Sequence, residues 1–461
     1  MCPAVIALSG IAAGQSAFTP PPAPVAVNTL ARDIYRELIE INTTESTGGS
    51  TRAAEAMAAR LLAAGFAPED VKVLGPNPRK QNLVARYRGT GAARPLLLLG
   101  HLDVVEARRE DWSMDPFAFV ERDGFFYGRG TSDMKDMDAA WVANLIELRR
   151  EGYTPNRDII LALTADEEDG DSNGAAWLVQ NHRELVDAEL ALNEGGGGQM
   201  KDGRNVANNV QAAEKVYQSF ALEVRNKGGH SALPARDNAI LRLAAGLTRL
   251  AAYDFPVRLN EVTRAYFDRM ARVAEGDAAR DMRAASATPA DAAAVERLAG
   301  SSIYYNALVR TTCVPTLLQG GHAENALPQL ARAVVNCRML PDDTAGNVMQ
   351  TLVRVLGDDR IAVTPVAQAR PGPASPLSPA LMRALDRITA EMWPGVPVVP
   401  VMGTGATDGK WLRMAGIPTY GLGAFENVDD IRSHGRDERM GTRQFYEERE
   451  FLYRLIRALT E

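Results

Sequence analysis

The sequence predicts an α/β protein built around a mainly parallel sheet, and three similar stretches support this prediction. Residues 95–105 read PLLLLGHLDVV, residues 158–164 read DIILALT, and residues 189–194 read ELALNE. Each contains a short apolar run of the kind that forms a strand buried on both faces of a parallel sheet. Helical patterns separate the runs, and strands that alternate with helices favour a parallel sheet.

Each of the three runs ends in acidic or imidazole side chains. They are His101 and Asp103 after the first run, Glu167 and Glu168 after the second, and Glu194 after the third. Ligands bind at the carboxyl ends of the strands in open α/β sheets. Several like charges at one edge are unfavourable unless a cation neutralises them, so the pattern predicts a polynuclear metal site. An acidic run such as residues 165–169 is more often a solvated turn, but this one follows a buried strand.

The length and composition of the chain predict its number of domains and exclude several kinds of partner and metal ligand. A chain of 461 residues is too long for one core and predicts two domains. The balance of 51 basic and 58 acidic residues argues against a nucleic-acid partner. No apolar run reaches membrane-spanning length. Three cysteines are too few for a disulfide framework or a thiolate zinc site, so any metal ligands are His, Asp and Glu.

The amino-terminal segment is typical of export. Residues 5–14 are apolar, residues 15–17 are small or polar, and residues 20–24 are rich in proline. This resembles a secretory signal peptide with a spacer, although its positively charged start is missing. We therefore expect a periplasmic or secreted protein. The alternative is a disordered tail on a cytoplasmic protein.

The first half of the chain alternates between helix and strand. We predict helices over residues 29–40, 51–64 and 174–181, and strands over residues 82–87, 96–99, 158–164 and 189–192. After the helix at 51–64, residues 131–133 lead into a further helix that runs through Arg150. Residues 82–87 alternate as an outer strand does. Asp133 lies at the start of the third helix, where a carboxylate is favoured and its position is fixed.

The middle of the chain has a different pattern and predicts an inserted domain. It contains strand patterns at 217–224, 309–318 and 331–338, a loop at 225–234, and helical patterns at 237–253 and 268–300. Sheet-type patterning resumes at 397–402 and 417–421, and a helix over 445–459 closes the chain. The predicted divisions are a signal peptide and spacer (1–27), a catalytic domain in two parts (28–213 and 343–461), and an inserted domain (214–342).

An ordered set of motifs resembles the M20 family of dizinc metallopeptidases, which includes glutamate carboxypeptidase, aminoacylase and carboxypeptidase S-like enzymes. The motifs are HLDVV (101–105), GRGTSDMKD (128–136), ADEED (165–169), NEGG (193–196), GGHSALP (228–234), NALP (325–328), NCRMLP (336–341), GATD (405–408) and HGRDE (434–438). The resemblance implies a zinc-exopeptidase catalytic domain with an inserted α+β lid domain. It also implies a homodimer formed through that inserted domain.

The resemblance implies a site for two Zn²⁺ ions. Asp133 would bridge them, with His101 and Glu194 completing one coordination sphere and Glu168 and His434 the other. Zinc accepts imidazole nitrogen and carboxylate oxygen, and two ions can share a bridging carboxylate. Co²⁺ and Mn²⁺ accept the same ligands.

Three further residues take catalytic roles by resemblance. Glu167 would be the general base, and the carboxylate of Asp103 would accept the free ring N–H of His101 and fix its tautomer. His230 would stabilise the oxyanion, either in its own site or in that of the neighbouring subunit. The alternatives are a turn or capping aspartate at position 103 and a structural histidine at position 230.

Four residues would bind the free carboxylate of the substrate by resemblance. They are Asn325, Arg338, Gly405 and Thr407, with Arg338 making a two-pronged contact. For Arg338 a surface salt bridge is the alternative.

The resulting hypothesis is a metallopeptidase of the carboxypeptidase or dipeptidase type. It would hydrolyse the amide bond next to the free C-terminal carboxylate of a small peptide, using a metal-bridging hydroxide and a glutamate base. An N-acyl-amino-acid amidohydrolase is the enzymatic alternative. A metal-free binding scaffold is the alternative of another class, but such a scaffold is expected to lose a metal ligand, and every one is present.

Overall fold

The structure is a computed structural model that describes residues 25–461. The first 24 residues, which carry the predicted signal peptide, lie outside the described residues. Within the described part, no helix has both the length and the apolar character needed to cross a bilayer.

The strands and helices alternate along most of the chain. The strands are β1 (Val71–Asn77), β2 (Lys80–Tyr87), β3 (Leu96–His101), β4 (Val120–Arg122), β5 (Phe125–Tyr127), β6 (Ile159–Thr164), β7 (Leu190–Glu194), β8 (Gly197–Lys201), β9 (Arg204–Glu214), β10 (Val216–Arg225), β11 (Gly229–His230), β12 (Thr312–Gly320), β13 (Ala326–Leu327), β14 (Leu330–Met339), β15 (Ile361–Pro365), β16 (Val398–Gly403), β17 (Thr419–Leu422), β18 (Phe425–Asn427) and β19 (Arg439–Gly441). The helices are α1 (Val25–Glu40), α2 (Thr51–Ala63), α3 (Lys135–Arg150), α4 (Gly174–Asn181), α5 (Arg183–Val186), α6 (Ala239–Ala251), α7 (Glu261–Met270), α8 (Gly276–Ser286), α9 (Ala292–Ser301), α10 (Ile303–Val309), α11 (Ala345–Leu356), α12 (Pro379–Met392), α13 (Gly409–Met414) and α14 (Thr442–Thr460).

The larger sheet has the strand order β1-β2-β6-β3-β7-β17-β9-β8-β18, and β16 pairs with β9. Strand β3 pairs in parallel with β6 and β7, and β7 pairs in parallel with β17. Strands β1 and β2 extend the sheet in antiparallel fashion. The predicted α/β class with a mainly parallel sheet is therefore confirmed.

Strand β3 contacts two separate apolar cores because its side chains alternate between the faces of the sheet. Leu96 and Leu98 pack into the main core with α1, α3, α12 and α14. Leu97 and Leu99 pack on the other face, in a core that includes residues of α4 and α13. The four consecutive leucines are thus all buried, as a strand covered on both faces requires.

The smaller sheet is antiparallel, with the order β12-β14-β10-β15. Helices α6 and α11 pack on it and form a core of their own. At its edge, Cys313 of β12 faces Cys337 of β14, and the two form a disulfide. A two-stranded sheet (β11-β13) and a three-stranded sheet (β19-β5-β4) complete the fold.

The structure divides the chain differently from the predicted inserted block at 214–342. Helices α7 to α10 fall inside that block, yet Val262, Phe267 and Leu298 pack in the main core. Helix α11 and strand β15 follow residue 342, yet they belong to the smaller sheet and its core. Amphipathic helices look alike in sequence whichever core they cover, so the pattern alone cannot assign them. We propose that the lid consists of two segments, β10 to α6 and β12 to β15.

Candidate active site

The residues that carry the predicted chemistry come together at the carboxyl edge of the larger sheet. His101 is the last residue of β3 and Glu194 is the last residue of β7. Glu168 follows β6, and Asp133 lies just before α3. His434 arrives from the loop between β18 and β19. Five distant segments thus supply one site, at the edge where α/β sheets bind ligands.

The first group of candidate ligands is fully buried. His101, Asp133 and Glu194 offer atoms that lie within 4.8 Å of one another. The Nε2 atom of His101 lies 3.3 Å from Oδ1 of Asp133 and 3.8 Å from Oε1 of Glu194. One ion placed among these atoms would meet one nitrogen and two oxygen ligands.

The second group shares Asp133 and is more open to solvent. Nε2 of His434 lies 3.0 Å from Oδ2 of Asp133 and 2.8 Å from Oε1 of Glu168. The two oxygens of Asp133 therefore face different groups. This is the arrangement that a carboxylate bridging two cations requires.

Unpartnered atoms in the site fit bound cations. Nε2 of His101, both carboxylate oxygens of Asp133 and Oε1 of Glu194 are buried without a hydrogen-bond partner among the described residues. Leaving such atoms unpaired costs free energy, which coordination to a cation would remove. The donor set of imidazole nitrogen and carboxylate oxygen, without thiolate, suits Zn²⁺, Co²⁺ or Mn²⁺.

The pKa values of the same groups show that the site favours added positive charge. Burial raises the pKa of Asp133, but its contacts with His101 and His434 outweigh burial and hold the pKa well below the usual range. The contacts with Asp133 and Glu168 raise the pKa of His434 to about 9. The carboxylates thus stabilise positive charge on their neighbours, and cations in the site would take the place of these protons.

A larger cleft adjoins the second ligand group and contains two neighbouring glutamates. Glu167 and Glu168 line a cavity of about 860 Å³ that Arg338 of β14 also lines. The cavity therefore lies between the larger and the smaller sheet. It is large enough for a small-molecule ligand.

Comparison with known proteins identifies the family. The family model for Peptidase family M20/M25/M40 matches residues 97–458, which is most of the chain. The chain belongs to this peptidase family. The M20 resemblance drawn from the motifs is therefore confirmed, and so is the prediction of a hydrolase.

Curated relatives of this M20 chain include enzymes of two kinds. Probable carboxypeptidase S-like 2 of Dictyostelium discoideum is 29% identical over 389 residues, which are 82% of this chain and 74% of the relative. The human N-fatty-acyl-amino acid synthase/hydrolase PM20D1 is 26% identical over 372 residues, which are 79% of this chain and 74% of the relative.

Solved M20 structures share the fold. The metallo-carboxypeptidase Sso-CP2 from Sulfolobus solfataricus superposes with a TM-score of 0.67 at 18% identity, covering 93% of this chain and 98% of the other. Human carnosine dipeptidase 1 gives a TM-score of 0.63 at 16% identity, covering 95% and 99%. The YXEP protein of Bacillus subtilis, described as a dinuclear metal-binding M20 peptidase, gives 0.59 at 12% identity, covering 95% and 100%.

Glu167 of this M20 peptidase has an environment suited to proton transfer. Burial raises the pKa of Glu167 well above the usual range, and the nearby charges of Asp408 and Glu168 raise it further, against the opposing effect of His101. A carboxyl group with a raised pKa holds a proton more readily near neutral pH. Its neighbour Glu168 turns toward His434 instead.

Two residues of the site region, Asp166 and His434, have left-handed backbone conformations. Asp166 has a φ of 55°, a left-handed conformation that is uncommon outside glycine, and its carboxylate accepts a hydrogen bond from Lys80 at 2.6 Å. His434 has a φ of 62°. Strained backbone of this kind concentrates at functional sites.

The structure corrects the contact predicted for Asp103. Nδ1 of His101 lies 3.0 Å from the backbone carbonyl oxygen of Asp103 and 3.8 Å from its carboxylate. The carboxylate instead accepts hydrogen bonds from the backbone N–H groups of Glu167 at 3.1 Å and Glu168 at 3.0 Å. The backbone carbonyl of Asp103 therefore orients the His101 ring, and the carboxylate of Asp103 orients the backbone of Glu167 and Glu168.

The contact predicted for Thr407 also differs. Its backbone N–H and its hydroxyl both donate to Oε2 of Glu214, at 3.0 and 3.1 Å. Because these donors are used inside the protein, Thr407 does not offer them to a substrate. Gly405 lines the cleft, and its role in substrate binding stays a prediction.

His230 and Asn325 lie together, but apart from the metal-ligand groups. His230 pairs with Ala326 in the short β11-β13 sheet, and the backbone of Asn325 accepts a hydrogen bond from Ser231 at 3.0 Å. His230 is exposed, and neither His230 nor Asn325 lines the cleft that contains Glu167. Within one chain, the structure does not bring them to the predicted site.

A buried ion pair that the sequence analysis missed holds two site loops together. Nη1 of Arg129 donates to Oε2 of Glu438 at 2.5 Å, and the other carboxylate oxygen accepts the backbone N–H of Ser132 at 2.8 Å. This contact ties the loop of His434 to the loop of Asp133. Arg129 lies in the same sequence motif as Asp133, and Glu438 lies in the same motif as His434. This closeness to the ligands in sequence was the signal that could have identified the pair.

A smaller cavity adjoins the ligands, and Glu167 is not part of its lining. Its volume is about 130 Å³, and Asp133 and Glu194 form part of its wall. The rest of the lining includes methionines and the glycine run that follows Glu194. Two buried carboxyl groups in it, Asp136 and Glu448, were not foreseen from the sequence.

Proposed function

We propose that this M20 peptidase hydrolyses the amide bond next to the free carboxylate of a small peptide, as carboxypeptidases and dipeptidases do. The observation that carries the proposal is the position of Asp133 between two ligand groups, beside a cleft that also contains Glu167 and Arg338. The proposed cofactors are two Zn²⁺ ions, and Co²⁺ or Mn²⁺ would fit the same ligands.

Glu167 and Arg338 have separate tasks in the proposed reaction. When bound, the two cations would supply positive charge that lowers the pKa of water and polarises the substrate carbonyl. Glu167 accepts a proton from the attacking water and delivers it to the leaving nitrogen as the C–N bond breaks. Arg338 binds the free carboxylate and so fixes the scissile bond near Glu167. The products are one carboxylate and one amine.

A panel of substrates tests this proposal. We expect the purified protein, loaded with zinc, to release amino acids from dipeptides, and we expect a chelator to abolish the activity. Replacing Arg338 by glutamine should raise KM more than it lowers kcat, because the lost contact is made in the ground state as well. Hydrolysis that persists in metal-free protein would overturn the proposal.

An N-acyl-amino-acid amidohydrolase is the second candidate, and two observations favour it. Several curated relatives are N-fatty-acyl-amino acid synthase/hydrolases. The cavity beside Glu194 is lined in part by methionine, glycine and other apolar residues, next to five acidic side chains. The same ligands and base would serve this reaction. Rates on N-acyl amino acids, measured beside the dipeptides, separate the two candidates.

We further propose that the protein is a homodimer formed through the smaller sheet. Support comes from the edge strand β12, where Val314, Leu317 and Leu318 are 55%, 62% and 68% exposed. In such a dimer, His230 and Asn325 would serve the site of the neighbouring subunit. Sedimentation equilibrium tests this. A monomer that is fully active would exclude a role for either residue across subunits.

Export to the periplasm or the exterior is the proposed localisation. The Cys313–Cys337 disulfide supports it, since disulfides persist in oxidising compartments. Amino-terminal sequencing of the mature protein from the expressing cells tests whether the leader has been removed. Uncleaved protein in the cytoplasm would contradict the proposal.

A further inference from the structure

Three cations face the substrate cleft without a carboxylate partner. They are Arg338, Arg370 and Lys410, all of which line the cavity that contains Glu167. No ion pair joins any of them to an acidic group among the described residues, whereas arginines elsewhere in this part of the chain, such as Arg86, Arg242 and Arg269, are paired. A free carboxylate on the substrate accounts for one of these cations, and two remain.

Arg370 and Lys410 share an aromatic platform. The guanidinium of Arg370 lies 4.6 Å from the ring centroid of Trp411, and the ammonium of Lys410 lies 5.6 Å from it. Stacking of this kind orients a cation while leaving its N–H groups free to donate. The loop of Arg370 passes close to α13, which contains Lys410. A Cβ on Gly372 of this loop would lie only 3.2 Å from Cα of Lys410.

Arg338 belongs to the opposite wall and is separately oriented. It lies on β14 of the smaller sheet, and its guanidinium is 4.8 Å from the ring centroid of Tyr217. The cleft thus offers one anion position on the smaller sheet and another on α13 of the main domain. Glu167 lies in the same cleft.

The acidic groups that line the cleft form no ion pair with this second position. Glu214 is paired with Arg413, and Glu168 is in contact with His434. Glu167 lies near enough to Lys410 for the ammonium to lower its pKa, but no ion pair joins them. Lys215 also lines the cleft, but its ammonium donates to the carbonyls of Ala307 at 2.8 Å and Arg310 at 2.7 Å. It is therefore not counted among the cations available to a ligand.

We propose that the substrate carries two carboxylates, one bound by Arg338 and the second bound by Arg370 and Lys410. This inference rests on the proposed function and deepens it by naming the substrate class. The second carboxylate can belong to the side chain of the released amino acid or to a dicarboxylic acyl group. Charge-assisted hydrogen bonds from two cations would distinguish a carboxylate from its neutral amide.

Matched substrate pairs that differ only in carboxylate against amide test the proposal. For the released residue, the pairs are Ala-Glu with Ala-Gln and N-acetyl-Glu with N-acetyl-Gln. For the acyl group, the pair is N-succinyl-Ala with N-succinamoyl-Ala. With the zinc-loaded wild type, we expect kcat/KM to favour the acid by about tenfold or more in one of the two arms, which also identifies where the second carboxylate lies.

Variants connect the preference to the two cations. Arg370→Gln and Lys410→Gln should each reduce the preference for the acid, mainly through KM, and the double variant should bring it near unity. Arg204→Gln and Lys72→Gln are matched controls, since both residues are exposed and neither forms an ion pair within residues 25–461. Arg204 begins β9 and Glu214 ends it, so Arg204 lies roughly 30 Å from the cleft. Both controls should keep the wild-type preference.

A binding measurement keeps this inference separate from the proposed function. Calorimetry on the zinc-loaded protein compares glutarate, which has two carboxylates, with butyrate, which has one. We expect glutarate to bind about tenfold tighter or more, and this advantage to disappear in the double variant. If amides are hydrolysed as well as acids, the inference fails while the proposed function stands. If no pair is hydrolysed, the proposed function fails, and equal binding of glutarate and butyrate would overturn the inference as well.

Discussion

The Nε2 atom of His434 lies 2.8 Å from Oε1 of Glu168, although 266 positions separate these two residues in the chain. The side chain of His434 is 38% exposed. The side chain of His101, in the other ligand group, is 2% exposed. The two groups share Asp133 but differ in their access to solvent, and this difference has a measurable consequence.

A chelator should remove two bound cations in two steps. The ion held by Asp133, Glu168 and His434 should leave first, because solvent and chelator reach it more easily. Metal content measured by mass spectrometry during dialysis should pass through a species with about one ion per chain. His434→Ala should produce that one-ion species directly. Loss of both ions at one rate from the wild type would contradict this prediction.

Replacing the proposed base should separate catalysis from metal binding. In Glu167→Gln the amide cannot accept a proton, so kcat should fall by roughly 10²–10⁴-fold while metal content stays unchanged. Asp169→Asn is the matched control, since Asp169 is an exposed acid of the same run. It should keep nearly wild-type kcat. A Glu167→Gln variant that turns over normally would remove this residue from its role.

The carboxylate of Asp103 holds the backbone of Glu167 and Glu168, and replacing it should disturb the proposed base. In Asp103→Asn the side chain keeps one acceptor, so one of the two hydrogen bonds to the backbone of Glu167 and Glu168 is lost. We expect kcat to fall by roughly 10- to 100-fold with both metals retained. The His101 contact uses the backbone carbonyl and should survive. Loss of the metal instead would mean that the carboxylate acts on the ligands directly.

The sequence predicted the centre of the fold well because its signals are local. Strands β3, β6 and β7 are short apolar runs, and three of the ligands, His101, Glu168 and Glu194, lie at or just after the ends of these runs. The long strand β9 was not predicted, since Asn208, Asn209 and Gln211 make it look polar. These amides are buried all the same, and Asn208 donates to Thr389 of α12 at 3.0 Å. A polar strand of this kind depends on distant partners that the sequence does not register.

The substrate side of the cleft was harder to predict for a related reason. Arg338 was chosen from a motif, but Arg370 and Trp411 carry no local pattern that marks them as neighbours. They meet through a cation–π contact between two segments that are far apart in the chain. Thr407 shows the opposite case, since its motif position suggested a donor for the substrate whereas Glu214 accepts both of its hydrogen bonds. Motifs locate residues without giving the direction of their donors.

The disulfide between Cys313 and Cys337 should stabilise the smaller sheet. It closes a loop of 24 residues, for which chain entropy predicts about 3.5 kcal/mol of stabilisation. A reductant should therefore lower the Tm of the wild type measured by calorimetry. The Cys313→Ser/Cys337→Ser double variant should start at the lower Tm and show no further change with the reductant. A wild-type Tm that the reductant leaves unchanged would show that the sheet does not depend on the bond.

The ammonium of Lys215 should make stability depend on pH above neutrality. Burial, together with the nearby charge of Arg338, lowers the pKa of Lys215 from 10.5 to about 7. In the unfolded chain this lysine binds its proton up to about pH 10.4. The unfolded state therefore binds more protons than the folded state between pH 7 and that value, and the free energy of unfolding should rise with pH across this window. Below pH 7 both states are protonated and the penalty is fully present.

Comparison of the wild type with Lys215→Met isolates this effect, since methionine does not titrate. The variant loses the hydrogen bonds to Ala307 and Arg310 at every pH, so this loss contributes a constant. The difference in unfolding free energy, measured by denaturant titration, should shift in favour of the wild type by at most about 1.4 kcal/mol per pH unit between pH 7 and 9. A difference that stays constant over this range would mean that Lys215 keeps its charge in the folded protein.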